Sequence, residues 1–101
     1  MLGNLHLLLA DDDEDDRFFF ARALKLVPIR TTLHLVEDGE KLMNYLLKNC
    51  NQLPDLLFLD INMPRKNGWE CLIEIKQHDK LKRLPVDMYS TALYDELANG
   101  L

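Results

Sequence analysis

Leu5-His6-Leu7-Leu8-Leu9-Ala10-Asp11-Asp12-Asp13 is the stretch that decides the fold, because a nearly unbroken apolar run stops abruptly at a block of acids. The run is too short for a typical helix. Lacking the polar alternation of a half-exposed strand, it reads as a strand buried on both faces, the kind found in parallel sheets covered by helices. Behind it, residues 15–26 read as a helix: Phe20 and Leu24 share one face, acids crowd the first turn, and Pro28 follows the end.

The strand-then-helix unit recurs downstream. Residues 31–36 alternate β-branched and apolar side chains. Glu37-Asp38-Gly39 then turns the chain into a helix over 40–48 carrying Leu42, Tyr45 and Leu46 at helical spacing. A third unit has a strand over 55–59 ending in Asp60, a loop from Asn62 to Asn67 containing Pro64, and a helix from Gly68 to about His78. Residues 86–90 give a fourth strand, and residues 95–98 look like the first turn of a further helix. Alternating strands and helices imply right-handed crossovers, hence a single doubly wound α/β domain over 1–101 with a parallel sheet between two helical layers.

In an open parallel sheet the C-terminal strand ends emerge along one edge, where ligands bind. That edge should gather Asp11 and Asp12 from the first strand, Asp60 from the third, and Ser90 and Thr91 from the fourth. Carboxylates brought this close repel one another unless a cation holds them ionised. A hard divalent ion, Mg2+ above all, suits an acidic crevice that must also accept a phosphate oxygen. An aspartate can itself act as nucleophile and form an acyl phosphate, with a hydroxyl such as that of Ser90 donating to it. For Asp13, Glu14, Asp15 and Asp16, by contrast, capping and solvation of a helix start is the preferred reading.

Leu-Ala-Asp-Asp-Asp at the first strand end, Asp60-Ile-Asn-Met-Pro, Gly68 beyond it, and Ser90-Thr91-Ala92 after Pro85-Val86 together resemble the response regulator receiver family over almost the whole chain. The resemblance is to a stand-alone receiver of the chemotaxis-regulator type, with a flavodoxin-like fold. It implies strand order 2-1-3-4-5, Asp60 as phosphoacceptor, and Asp11 and Asp12 as the acidic pair around Mg2+. It also implies the backbone carbonyl of Asn62 as a further metal ligand, Ser90 as the hydroxyl that reads the phosphate, and Thr91 as a weaker contributor beside it. The implied partners are a sensor histidine kinase or phosphotransfer protein and an output protein. The family pattern continues with a fifth strand ending in a lysine and a final helix, which this sequence lacks. Slow or absent phosphorylation is expected from that loss, which would cost a few kcal/mol, about that of one preorganised donor. An uncovered face near Phe18 and an exposed fourth-strand edge, with Asp87 as its charge, are expected to favour self-association.

Composition excludes other classes. With 12 basic against 17 acidic residues the net charge is -5, which argues against nucleic acid as a direct partner. No apolar stretch approaches the roughly 18–20 residues of a membrane span, and no signal peptide is legible, so a cytoplasmic protein is expected. Cys50 and Cys71 have no metal spacing and read as reduced thiols, while His6, His34 and His78 share no ligand pattern. Arg65 and Lys66 read as a solvated loop, with steering of an acidic partner as the sharper option. Two other functions stay open: a phosphorylation-independent interaction module with a relic acidic site, and a metal-dependent phosphohydrolase. The second would want an aspartate where Asn62 stands.

Overall fold

The computed structural model describes residues 3–90. Seven elements alternate along the chain: β1 (Leu5–Ala10), α1 (Glu14–Leu24), β2 (Thr31–Val36), α2 (Gly39–Lys48), β3 (Leu56–Asp60), α3 (Gly68–Gln77) and β4 (Val86–Tyr89). All pairings are parallel and the sheet runs β2-β1-β3-β4, which agrees with the expected order as far as the described strands go. The helix expected over 95–98 and the hydroxyl of Thr91 lie outside the described residues.

Each helix start has a chemical cause. The Asp13 carboxylate accepts from the backbone N–H groups of Asp15 and Asp16, opening α1 one residue earlier than the periodicity suggests. Asp38 caps α2 through Lys41 N–H. Asn67 and Glu70 form a reciprocal capping box at the start of α3. At its other end α1 stops at Leu24 rather than 26, and the chain tightens through turns from Lys25 to Ile29 ahead of Arg30.

The two faces of the sheet are unequal. Leu8, Ala10, Val36, Leu57 and Leu59 point to one side, where they pack with Leu42, Met43 and Leu46 of α2 and Cys71 and Ile75 of α3. Leu81 and Leu84, from the segment before β4, close this core. The other side carries Leu7, Leu9, Phe58, Asp87 and Tyr89, and meets α1 through a Phe20–Phe58 ring contact at 4.9 Å. Helix α1 has no buried residue, whereas α2 and α3 each bury several.

Close backbone approach locks β3 to α3. Gly68 N–H donates to Ile61 O at 2.8 Å, and a Cβ on Gly68 would meet Asp60 O at 2.5 Å and Ile61 Cα at 2.7 Å. Gly39 is pressed in the same way against the Lys66 backbone. Neither obstacle is the flexible end of a side chain. Gly68→Ala is therefore expected to lower unfolding free energy by about 1–3 kcal/mol, read as a drop in urea midpoint. An unchanged midpoint would mean that the β3–α3 junction is slack.

Candidate functional site

Asp11 immediately follows β1 and Asp60 is the last residue of β3, so the parallel register brings both to the same edge. Asp60 faces the α1 side, as do its neighbours Tyr89 on β4 and, one strand across, Asp11. Oxygens of Asp11, Asp12 and Asp60 all lie within 4.8 Å of one another. Asp11 and Asp60 are buried, at 1% and 0% exposure, while Asp12 is exposed. The expected triad is thus assembled.

Local hydrogen bonds fix these carboxylates. Asp11 Oδ1 accepts from Asp13 N–H at 2.9 Å, and Asp60 Oδ1 accepts from Asn62 N–H at 3.1 Å. The Asn62 side chain also donates to Ser90 Oγ at 3.2 Å, so Asn62 ties the Asp60 loop to the end of β4. Ser90 therefore stands beside the site, with Asn62 as the bridge. Arg17 adds a cation at the rim by donating to the Asp11 backbone carbonyl at 2.7 Å.

Burial, first, pushes the Asp60 carboxyl up to about 6, and the negative charges of Asp11 and Asp12 push the same way against the Asn62 N–H. Three carboxylates form a hard, all-oxygen donor set, two of them anchored in the protein and the third facing solvent, and this set fits a hard divalent cation with coordination positions left for water or phosphate. This cluster is made of carboxylates alone, without nitrogen or sulfur ligands. Cys71 is buried and its thiol is pushed up to about 11, chiefly by burial.

Tyr89 is the site residue that sequence reading missed. Its hydroxyl donates to Asp11 Oδ2 at 2.5 Å, and burial followed by that hydrogen bond pushes its ionisation upward, so it stays a donor. A polar-tipped aromatic one residue before Ser90 was the available signal, but its meaning depends on the Asp60–Tyr89 register. Arg65 and Lys66 flank the site otherwise than as free steering charges. Arg65 Nε lies 3.8 Å from Asp38 Oδ2, and Lys66 pairs with Glu74. Arg65 holds a left-handed φ of 67°, in a turn closed by Lys66 N–H donating to Pro64 O.

Comparison with known proteins agrees with this geometry. Residues 7–99 match the response regulator receiver domain. Response regulator Rcp1 of Synechocystis sp. is 36% identical over 90 residues, an alignment covering 85% of this chain and 61% of that protein. The chain thus spans less than two thirds of that relative's length. A crystal structure of the Mn2+-bound form of Rcp1 superposes with a TM-score of 0.78 at 36% identity, over 86% of this chain and 66% of that one. The phosphorylated cyanobacterial phytochrome response regulator RcpA superposes with a TM-score of 0.81 at 34% identity, over 95% and 72% of the two chains. Sheet order, acidic edge and extent of match coincide: the chain belongs to the response regulator receiver domain family.

Proposed function

We propose that this receiver accepts a phosphoryl group on Asp60 from a phosphohistidine of a sensor histidine kinase or phosphotransfer protein, with Mg2+ at the acidic pair. The modified domain then changes its hold on an output protein in the cytoplasm. The observation that carries this reading is the convergence of Asp11, Asp12 and Asp60 oxygens within 4.8 Å at the C-terminal strand edge. The Mn2+-bound and phosphorylated states of two similar proteins support it.

An Asp60 carboxylate oxygen attacks phosphorus, the P–N bond to the donor imidazole breaks, and the leaving nitrogen takes up a proton. Asp60 becomes an acyl phosphate. Asp11, Asp12, Asp60 and the backbone carbonyl of Asn62 would hold Mg2+, which when bound neutralises charge on the phosphoryl oxygens. Ser90 would donate its hydroxyl proton to a phosphoryl oxygen, with Thr91 as a weaker second hydroxyl. Tyr89, donating to Asp11 Oδ2, would hold that carboxylate in place for the ion.

Acetyl phosphate with Mg2+ is expected to add one phosphoryl group at Asp60, read by intact mass and peptide mapping. Asp60→Asn should abolish the addition and Ser90→Ala should slow it by about tenfold or more. No modification of the wild-type chain would overturn the reading. Output-partner binding indifferent to Asp60→Asn would point to a phosphorylation-independent interaction module instead.

The ionisation of Asp60 also sets the pH dependence of the metal-free fold. Its carboxyl sits at about 6 instead of the ordinary 3.8, so between those values the folded chain holds a proton that the unfolded chain has released. Stability therefore falls as pH rises through this window, and the full cost remains above it. In chelator, Asp60→Asn should be more stable than wild type near neutral pH by about 1–3 kcal/mol, with the advantage fading under acid conditions and on adding Mg2+. An advantage that ignores pH would assign the effect to something other than charge.

Tyr89→Phe removes the donor on Asp11 Oδ2. It is expected to weaken Mg2+ binding by about tenfold in calorimetry, with little change in the thermal midpoint. Unaltered affinity would leave Tyr89 a packing residue.

A further inference from the structure

A cavity of about 300 Å³ opens at the N-terminal edge of the sheet, opposite the acidic site, between the segment that leads into β3 and the one that leads into β4. The phosphoryl chemistry leaves it unused. Asn51 and Leu53 line it from the first segment, and Lys80, Arg83 and Leu84 line it from the second. Pro54 and Pro85 stand just before the two strands and stiffen both walls. Leu57 N–H donates to Pro85 O at 2.9 Å, which joins the second segment to β3. The walls are therefore held in place by the sheet itself.

Charge sets this cavity apart. Lys80 and Arg83 line it, and no acid does. The Lys80 ammonium donates to Asn51 Oδ1 at 3.3 Å, from one wall to the other, and no described residue pairs with the Arg83 guanidinium. The acids nearest in sequence are engaged elsewhere: Asp55 accepts from His6 N–H at 2.7 Å, and Asp79 lies 3.5 Å from Lys82 Nζ. Lys48 and Lys76 stand in the last turns of α2 and α3, the ordinary place for cations on a helix. Lys80 and Arg83 lie beyond both helices, so that role does not explain them. A guanidinium matches phosphate oxygens as a fork, and an ammonium adds a point charge. Leu53 and Leu84, with the prolines, set an apolar wall beside the two cations, of the kind that seats an organic group. From this pairing of two cations with an apolar wall we propose that the cavity binds a small organic phosphate, at a ligand site separate from the phosphoryl-accepting edge.

Phenyl phosphate, titrated into isotope-labelled chain in buffer freed of divalent metal and followed by amide NMR shifts, tests this. Shifts should move at Asn51, Leu53, Lys80 and Arg83 and stay still at Asp11, Asp12 and Asn62, with a dissociation constant in about the millimolar range. Cys50 lines the same cavity whereas Cys71 is buried, so alkylation of Cys50 by iodoacetamide should slow as the cavity fills. Lys80→Gln and Arg83→Gln should each weaken binding by about tenfold, with little change in the thermal midpoint because both residues are exposed. Inorganic phosphate should bind more weakly than phenyl phosphate, and sodium chloride at equal ionic strength should neither shift these amides nor protect Cys50. Absence of any shift at the cavity overturns the proposal. So does binding that survives both substitutions, which would place the phosphate elsewhere, and so does protection by sodium chloride alone, which would reduce the effect to screening. Equal affinity for inorganic phosphate overturns the organic class of ligand.

Discussion

Holding carboxylates together where water is scarce is the constraint on which the rest of this molecule depends. A buried anion is expensive, and neighbouring anions add to the cost. The site is built so that only part of it bears this expense: Asp11 and Asp60 are buried and Asp12 stays in solvent. Asn62, Asp13 and Tyr89 supply N–H and O–H donors to the two buried groups. Burial first, and then the charges of Asp11 and Asp12, raise the Asp60 carboxyl to about 6.

Rigidity at this edge comes from backbone contacts rather than from side-chain packing above it. Gly68 brings the first turn of α3 against Asp60 and Ile61, and Ile61 N–H donates to Tyr89 O. Asp60 is therefore gripped from both sides, by α3 and by β4. A glycine at Gly68 is a cost to helix stability in the abstract, but here no side chain could occupy its place. The left-handed Arg65 marks the same loop bending sharply between Met63, which is buried, and Lys66, whose carbonyl meets Gly39.

Much of this was legible in the sequence, for physical reasons that also mark the limits. β1 and β2 were read with their observed bounds, because an unbroken apolar run and a β-branched alternation are local signals. Asp11, Asp12 and Asp60 could be brought together before any coordinates because parallel strands align their C-terminal ends. The far end of α1 was read too long, since Leu26 continues the apolar periodicity although it is solvent-exposed and outside the helix. Tyr89 was invisible because its partner Asp11 is 78 residues away, and only register decides which face of β4 meets it. The Arg65 turn and the Asn62–Ser90 bridge are likewise products of packing that no local pattern encodes.

The sidedness of the sheet connects these observations. Strand alternation sends Leu8, Leu57 and Leu59 to the α2–α3 face, and Leu9, Asp11, Phe58, Asp60 and Tyr89 to the α1 face. Asp11 and Asp60 thus stand on the α1 side, backed by the core on the other. The helix bordering that edge meets the sheet through contacts such as Phe20 on Phe58, over the buried Leu7 and Leu9, so the acids of its start and the carboxylates of the strand ends share one edge.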